Sequence, residues 1–448
     1  MINNIKVHEK NIIYRKWTFN FAIVIVVLGF IMLAVLLIFS LMIKSSSDPD
    51  VIKHFNSSFL IKAADYNKSV MVISVAERFI YWVLMISLLA LFWKNSAANS
   101  RIAIYRAIAI FIVFNIILYI SVLPLQYFRE FVLAHKFGLS NQSLSAWFID
   151  VLKDRSIMIA LNSFLMALLY VLILKFPKKW WIFAASILIL FLLLGNFIYP
   201  VIIDPIFYNF TALKDESLQK DIRIITDNAG IKINSILIAD ASRKTNTVNA
   251  YFYGIGSTKR IVIYDNLLNN HSRDEVLSVI AHEVGHWQHR HIILSIIIGI
   301  AEIILLVFIL KIIQPGLRMQ TGEQEKNIFQ VKNSPQKQSV SRSYNQSINF
   351  GAKNIIILFM LYSFLSFIIM PINNLVSRQF EKQADMAAFN LTVNAEAQVK
   401  IFENLAKSNL SNVRPGKVLQ YFIFSHPPIM DRINSILDKQ SLSGGYDF

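Results

Sequence analysis

This sequence predicts a mainly α-helical, polytopic membrane protein with about seven spans and a small α+β domain, and three observations carry that prediction. Of its 448 residues 55% are hydrophobic, with a mean hydropathy of +0.49, more apolar than an ordinary globular chain. The excess is gathered into runs long enough to cross a bilayer, which takes about 20 residues. Two stretches, residues 204–290 and 378–448, break the pattern and read as water-soluble, the first with short strands and helices.

The elements follow in order. Residues 1–16 form a polar tail with Lys6, Lys10, Arg15 and Lys16. The run at 19–43 is too long for a signal-peptide core and lacks a small-residue cleavage site, so it is an anchor. A second span starts at Val70 or Phe79 and ends at Trp93, and a third covers 104–127. Spans four and five, 157–174 and 180–203, are joined by the tight basic turn Lys175-Phe176-Pro177-Lys178-Lys179, which makes them an antiparallel hairpin. Residues 1–203 thus hold five spans and 204–290 a soluble domain. Within that domain 215–229 reads as a helix stopped by Gly230. Residues 235–239, 249–253 and 260–264 read as strands, and Asp274 as the cap of the next helix. Residues 291–377 carry spans six (291–313) and seven (354–372), separated by a polar loop, 314–350, expected to be flexible. Glu302 lies inside span six, where a helix–helix or lumen contact is the expected role ahead of catalysis. Residues 378–448 complete the soluble part.

Charge and composition exclude several functions. The formal charge of +16 is scattered between apolar runs, which places the lysines and arginines beside anionic membrane lipid rather than on nucleic acid. There is no cysteine, so disulfides and thiolate metal sites are ruled out, and any metal must sit on His, Asp or Glu.

The chemistry is concentrated in Ala281-His282-Glu283-Val284-Gly285-His286-Trp287. Positions four apart share a helix face, so His282 and His286 can offer two imidazoles to one ion. Glu283 is placed to take a proton from a metal-bound water, which is the physical content of the H-E-x-x-H zinc-hydrolase motif. A tetrahedral catalytic zinc needs one more protein ligand and one open position. His289 lies seven residues beyond His282, about 10 Å along the axis, too far to share the ion. His289 and His291 are both expected at the membrane interface. Glu381 and Asp385 share a helix face, so one can bind zinc while the other orients a ligating imidazole. On spacing alone, a solvated face paired with Arg378 and Lys382 explains them equally well.

Together, His282-Glu283-x-x-His286, Ser377-Arg378-x-x-Glu381-x-x-Ala384-Asp385 and Ser425-His426-Pro427-Pro428 resemble the M48 zinc metalloproteases. Seven spans with the motif before the sixth resemble the Ste24-type CAAX prenyl proteases within that family rather than the smaller HtpX heat-shock proteases. Asn249-Ala250-Tyr251-Phe252 and Lys259-Arg260-Ile261-Val262 resemble the strand pair before the motif, and Gly138 to Ser143, with Asp150 and Lys153, the loop after span three. The resemblance implies one Zn2+ per chain on His282, His286 and Glu381, with Glu283 as general base and Asp385 behind the ligands. It implies Asn249 on an edge strand that pairs with substrate backbone. It further implies His426 as oxyanion donor and Arg432 as a brace or substrate contact, in a ring of membrane helices around a water-filled chamber. Two departures, the absence of an acidic residue from residues 132–135 and the character of 314–350, bear on substrate handling.

The expected activity is therefore zinc-dependent peptide hydrolysis by a monomeric, integral multi-pass membrane protein, with lipidated CAAX-type peptides or proteins as substrates. A quality-control protease of the HtpX kind is the alternative. A metal transporter or scaffold is a distant one, because paired repeats and broken helices are not evident in the sequence. Lys and Arg in the tail and in the second and fourth connectors favour a cytoplasmic N-terminus. The resemblance favours the reverse, with the zinc domain in the cytoplasm.

Overall fold

Apolar length becomes helix, because a backbone in lipid must satisfy its own hydrogen bonds. The structure, a computed structural model, describes residues 2–94, 103–254, 259–317 and 352–443. Among them, six helices are long and apolar enough to cross a membrane. Five lie within α1 (Ile2–Leu41), α2 (Ser57–Lys94), α4 (Leu144–Lys175), α8 (His291–Leu317) and α9 (Ala352–Thr392), and the sixth, Ile104–Lys136, begins as α3 (Ile104–Tyr127) and runs on through a π-helical turn. A bent pair, Trp180–Asn196 with Tyr199–Phe207, meeting at 50°, makes seven when the pair is counted as one span. Its first part belongs to α5 (Trp180–Ile198), and the bend comes just before a π-helical turn, Tyr199–Ile203, in which Pro200 removes a backbone donor. The expected count of about seven spans holds, with one of them broken.

One finer expectation needs correction. Residues Gln314–Leu317 continue α8 rather than opening the polar loop, and Trp180 Nε1 donates to Gln314 Oε1 at 3.1 Å. The rest of that loop, 318–350, lies outside the described residues. Glu302 does make a helix–helix contact, accepting from Asn373 Nδ2 of α9 at 3.0 Å.

The soluble domain is a four-stranded sheet with helices against it. Its strands are β1 (Phe210–Ala212), β2 (Ser235–Ala239), β3 (Ala250–Tyr253) and β4 (Arg260–Tyr264), in spatial order β1-β2-β4-β3. β2 and β4 run parallel, and the outer pairs are antiparallel. Strand β1 was not expected, since three residues are too few for alternation to be read. Between β1 and β2, α6 (Glu216–Asn228) is capped by Asp215, which accepts from Leu218 N–H, and buries Leu218, Ile222 and Ile225. Gly230, at φ +72°, ends it as the left-handed cap residue.

α7 (Arg273–Gln288) lies against this sheet through Val276, Ile280, Ala281 and Val284, in one core with Phe252, Ile261 and Ile263. Its cap is Ser272, not Asp274. The Ser272 hydroxyl accepts from Glu275 N–H at 3.3 Å, leaving Asp274 in the first turn where a carboxylate favours the helix dipole. Two helices, α10 (Ala395–Ser408) and α12 (Ile429–Ser443), complete the domain, and between them α11 (Lys417–Ile423) packs through Leu419 into the core of the spanning helices.

One helix ties the layers together. α9 has 41 residues, about 60 Å at 1.5 Å per residue, twice the hydrocarbon thickness of a bilayer. Its first half packs in the membrane, where the Phe364 ring lies 4.0 Å from that of Trp82 and covers Gly29. Its second half leaves the membrane and packs on α7. There Gly285 lets the helices approach so closely that a Cβ would stand 2.9 Å from Ala387 Cβ and 3.0 Å from Ala384 Cα and carbonyl oxygen. The lone glycine in the motif helix is required by this contact.

Candidate active site and metal centre

The close approach of α7 and α9 brings His282, His286 and Glu381 together. Among the described residues these three form a group whose donor atoms lie within 4.8 Å of one another, without His289. The two Nε2 atoms are 3.2 Å apart; that of His282 stands 3.3 Å from Glu381 Oε2 and that of His286 3.5 Å from Glu381 Oε1. Ligands about 2.0–2.2 Å from a tetrahedral zinc are spaced about 3.3–3.6 Å from each other. The donor group is therefore close to the spacing one such ion needs, and its chemistry, two imidazoles and a carboxylate, is that of an open catalytic site.

Electrostatics agree. Burial works against a charge on His282, yet the carboxylates of Asp385 and Glu381 outweigh it and raise its pKa to about 10. The structure thus favours positive charge where the ion would bind. On His286, burial and the charge of His282 lower the pKa to about 3, leaving a neutral imidazole suited to ligation. Burial, with the charge of Glu381 adding to it, pushes the Glu283 carboxyl up to about 7, where a general base near neutral pH is useful.

Glu381 and Asp385 do not form a solvated face. They are 6% and 2% exposed, so the ion-pair alternative fails. Arg378 is also buried and turns away from them, donating to the carbonyls of Gln420 and Phe424 at 2.9 and 2.6 Å. It thereby anchors the segment that carries His426. Asp385 Oδ1 lies 2.8 Å from His282 Nδ1, and Arg432 grips the same carboxylate through Nε and a terminal nitrogen at 2.8 and 2.6 Å. Of the two roles expected for Arg432, the structure displays the brace.

His282, Glu283, Glu381, His426, Arg432 and Asn249 all line one cavity of about 310 Å³. His426 Nδ1 lies 2.8 Å from Glu381 Oε2, and its side chain is 62% exposed. Asn249 precedes β3, the last strand of the sheet, and its carbonyl accepts from Tyr264 N–H at 3.0 Å. By the alternation of an antiparallel ladder, the backbone of Ala250 and Phe252 then points outward. The loop before β3 is tied to the connector after α3 and to the first turns of α4. Asn141 and Asn246 exchange amide hydrogen bonds, and Lys244 pairs with Asp150 at 2.6 Å.

Two residues at the site were not expected there. His291, expected at the membrane interface, is 3% exposed, and its Nδ1 lies 3.0 Å from His286 Nδ1. Its Nε2 lies 2.8 Å from Gln383 Oε1. In a continued helix, five residues would set His291 about 140° around the axis from His286. The chain instead breaks at Arg290, whose φ of +57° turns His291 back over its neighbour. A non-glycine residue in this conformation leaves little signal in a sequence.

A soluble cap with an open-sided His–His–Glu triangle, set over membrane helices, defines a class: membrane-embedded metalloproteases. Comparison with known proteins gives the family. The model described as peptidase family M48 matches residues 212–440, and that described as CAAX prenyl protease N-terminal, five membrane helices, matches 41–209. The uncharacterized metalloprotease YhfN of Bacillus subtilis is 31% identical over 341 residues, covering 76% of this chain and 75% of that one. CAAX prenyl protease 1 of Saccharomyces cerevisiae is 30% identical over 322 residues, covering 70% and 68%. The crystal structure of S. mikatae Ste24p shares the fold, with a TM-score of 0.70 at 23% identity over 94% of this chain and 98% of that one. The chain belongs to peptidase family M48 and is an integral, multi-pass membrane zinc metalloprotease.

Proposed function

We propose that the protein is an endopeptidase whose zinc is held by His282, His286 and Glu381, and that it cleaves near the C-terminus of lipidated, CAAX-type substrates. The observation that carries the proposal is the donor group itself: two Nε2 atoms 3.2 Å apart, each within 3.5 Å of a Glu381 carboxylate oxygen, beside the half-buried Glu283. When bound there, the ion supplies Lewis acidity to a water and to the scissile carbonyl. Glu283 takes the proton of the attacking water and passes it to the leaving amine. His426, already at the cavity mouth, donates to the oxyanion as it forms. Asp385, braced by Arg432, holds the His282 ring. The outward backbone of β3 offers substrate an edge to pair with, and Asn249 lines the cavity beside it.

The domain reading groups residues 204–290 with 378–448 as one catalytic unit, interrupted by spans six and seven. We assign this unit to the cytoplasmic face. Cysteine labelling at Ser46 and Ser339 in intact cells tests that assignment, and a modified Ser46 with a protected Ser339 overturns it. For the substrate, purified protein should cleave a farnesylated C-terminal peptide faster than its unprenylated twin, and a chelator should stop both reactions. Equal cleavage of the twin and of unfolded polypeptide would favour a quality-control protease instead.

A further inference from the structure

We propose that His291 and Gln383 form a one-directional, uncharged relay that fixes the tautomer and ring angle of His286, making both positioning residues for the metal. The proposal rests on the reading of His286 as a ligand. Its geometry is a chain of two contacts, His286 Nδ1 to His291 Nδ1 at 3.0 Å and His291 Nε2 to Gln383 Oε1 at 2.8 Å.

The direction follows from donor and acceptor inventory. Oε1 of Gln383 only accepts, so His291 carries its proton on Nε2. In the neutral imidazole its Nδ1 is then a bare acceptor, and His286 carries its proton on Nδ1. That leaves the lone pair of His286 Nε2 facing His282 and Glu381, where an ion is to be held. Were the chain reversed, His286 would carry its proton on Nε2 and could not ligate. The relay is therefore tied to ligation, and a donor in place of Gln383 Oε1 would oppose it.

The supporting imidazole is also built in. His291 is 3% exposed and stacks on Phe380, with ring centroids 4.3 Å apart at 13°. Gln383 and Phe380 are three residues apart on α9, so both meet the same His291 ring. Their helix also supplies Glu381 and Asp385. The left-handed turn at Arg290 sets the ring in place from the other side. The two ligating histidines are thus oriented by different chemistry. His282 has an ionised Asp385–Arg432 pair behind it, and His286 a neutral imidazole and amide.

The test measures zinc affinity by chelator competition on the full-length purified protein in detergent. The visible spectrum of the cobalt-substituted protein is a second readout. Gln383→Met keeps length and bulk but removes the strong acceptor, and His291→Phe keeps the stack but removes both nitrogens. Each is expected to weaken zinc roughly 10- to 100-fold, as changes behind a ligating histidine do. Gln383→Glu restores an acceptor and should bring affinity and cobalt spectrum back towards wild type. Wild-type affinity in both Gln383→Met and His291→Phe overturns the relay. So does a Gln383→Glu protein as weak as Gln383→Met, since the position would then matter for packing alone. His286→Ala separates this from the reading beneath it: if that variant binds zinc like wild type, His286 is no ligand and the metal assignment itself falls.

Discussion

The two halves of α9 solve opposite packing problems. In the membrane half, α9 supplies the large side chain, Phe364, and α1 the missing one, Gly29. In the domain half the sizes reverse: α9 supplies Ala384 and Ala387, and Gly285 of α7 leaves the gap. The membrane half gains from contact area and shape, because lipid offers apolar helices no hydrophobic incentive to associate. The domain half must keep Arg378, Glu381 and Asp385 buried, which is tolerable only with each one partnered. Close backbone approach supplies those partners. Glu381 meets the two imidazoles of α7 because Gly285 has no side chain. A shape-driven contact can absorb a change by repacking, whereas a charge-bearing one cannot without losing the site.

Substitutions along α9 and its neighbours test that contrast. The largest effect is expected at Glu381→Ala, which should lose both zinc and hydrolysis, while Glu283→Gln should keep zinc and lose hydrolysis alone. Elemental analysis beside peptide cleavage reads both, and full zinc in Glu381→Ala would mean that the third ligand is misassigned. Asp385→Ala follows, with zinc affinity reduced roughly 10- to 100-fold, because His282 loses its orienting carboxylate. Next come the two glycines. Gly285→Ala and Gly29→Ala should each destabilise the fold by about 1–3 kcal/mol through overpacking, read as a lower midpoint of thermal unfolding in detergent. Only Gly285→Ala should also weaken zinc. Equal zinc affinity in the two variants would erase the distinction between the halves. The smallest effect is expected at His289→Ala, which should leave zinc content at the wild-type level.

Legibility in the sequence followed the range of the contacts involved. His282, Glu283 and His286 were readable because a helix places positions four apart on one face, and the spans because apolar length is local. Glu381 was ambiguous on spacing, since a partnered carboxylate and a solvated one look alike until a second helix arrives. His291 was misplaced because a left-handed turn at Arg290 is invisible in a string without glycine there. The cap of α7 went to Asp274 instead of Ser272, as several adjacent residues can cap equally well in a sequence. β1 was too short to alternate, and the bend of the fifth span was masked by an apolar run that continues through Pro200.

The long reach of α9 also has a consequence for biogenesis. The histidine pair and Glu381 are separated by about 95 residues of chain and by two membrane crossings, α8 outward and α9 back. During synthesis the nascent chain exposes His282 and His286 long before the carboxylate that completes the triangle is made. A ribosome-bound or truncated chain ending before residue 381 holds two donors and no Asp385 to orient them. On the proposed ligand set, proteolytic competence is deferred until the last crossing has been inserted and has returned to the face it left, so a mis-inserted copy is expected to be inert.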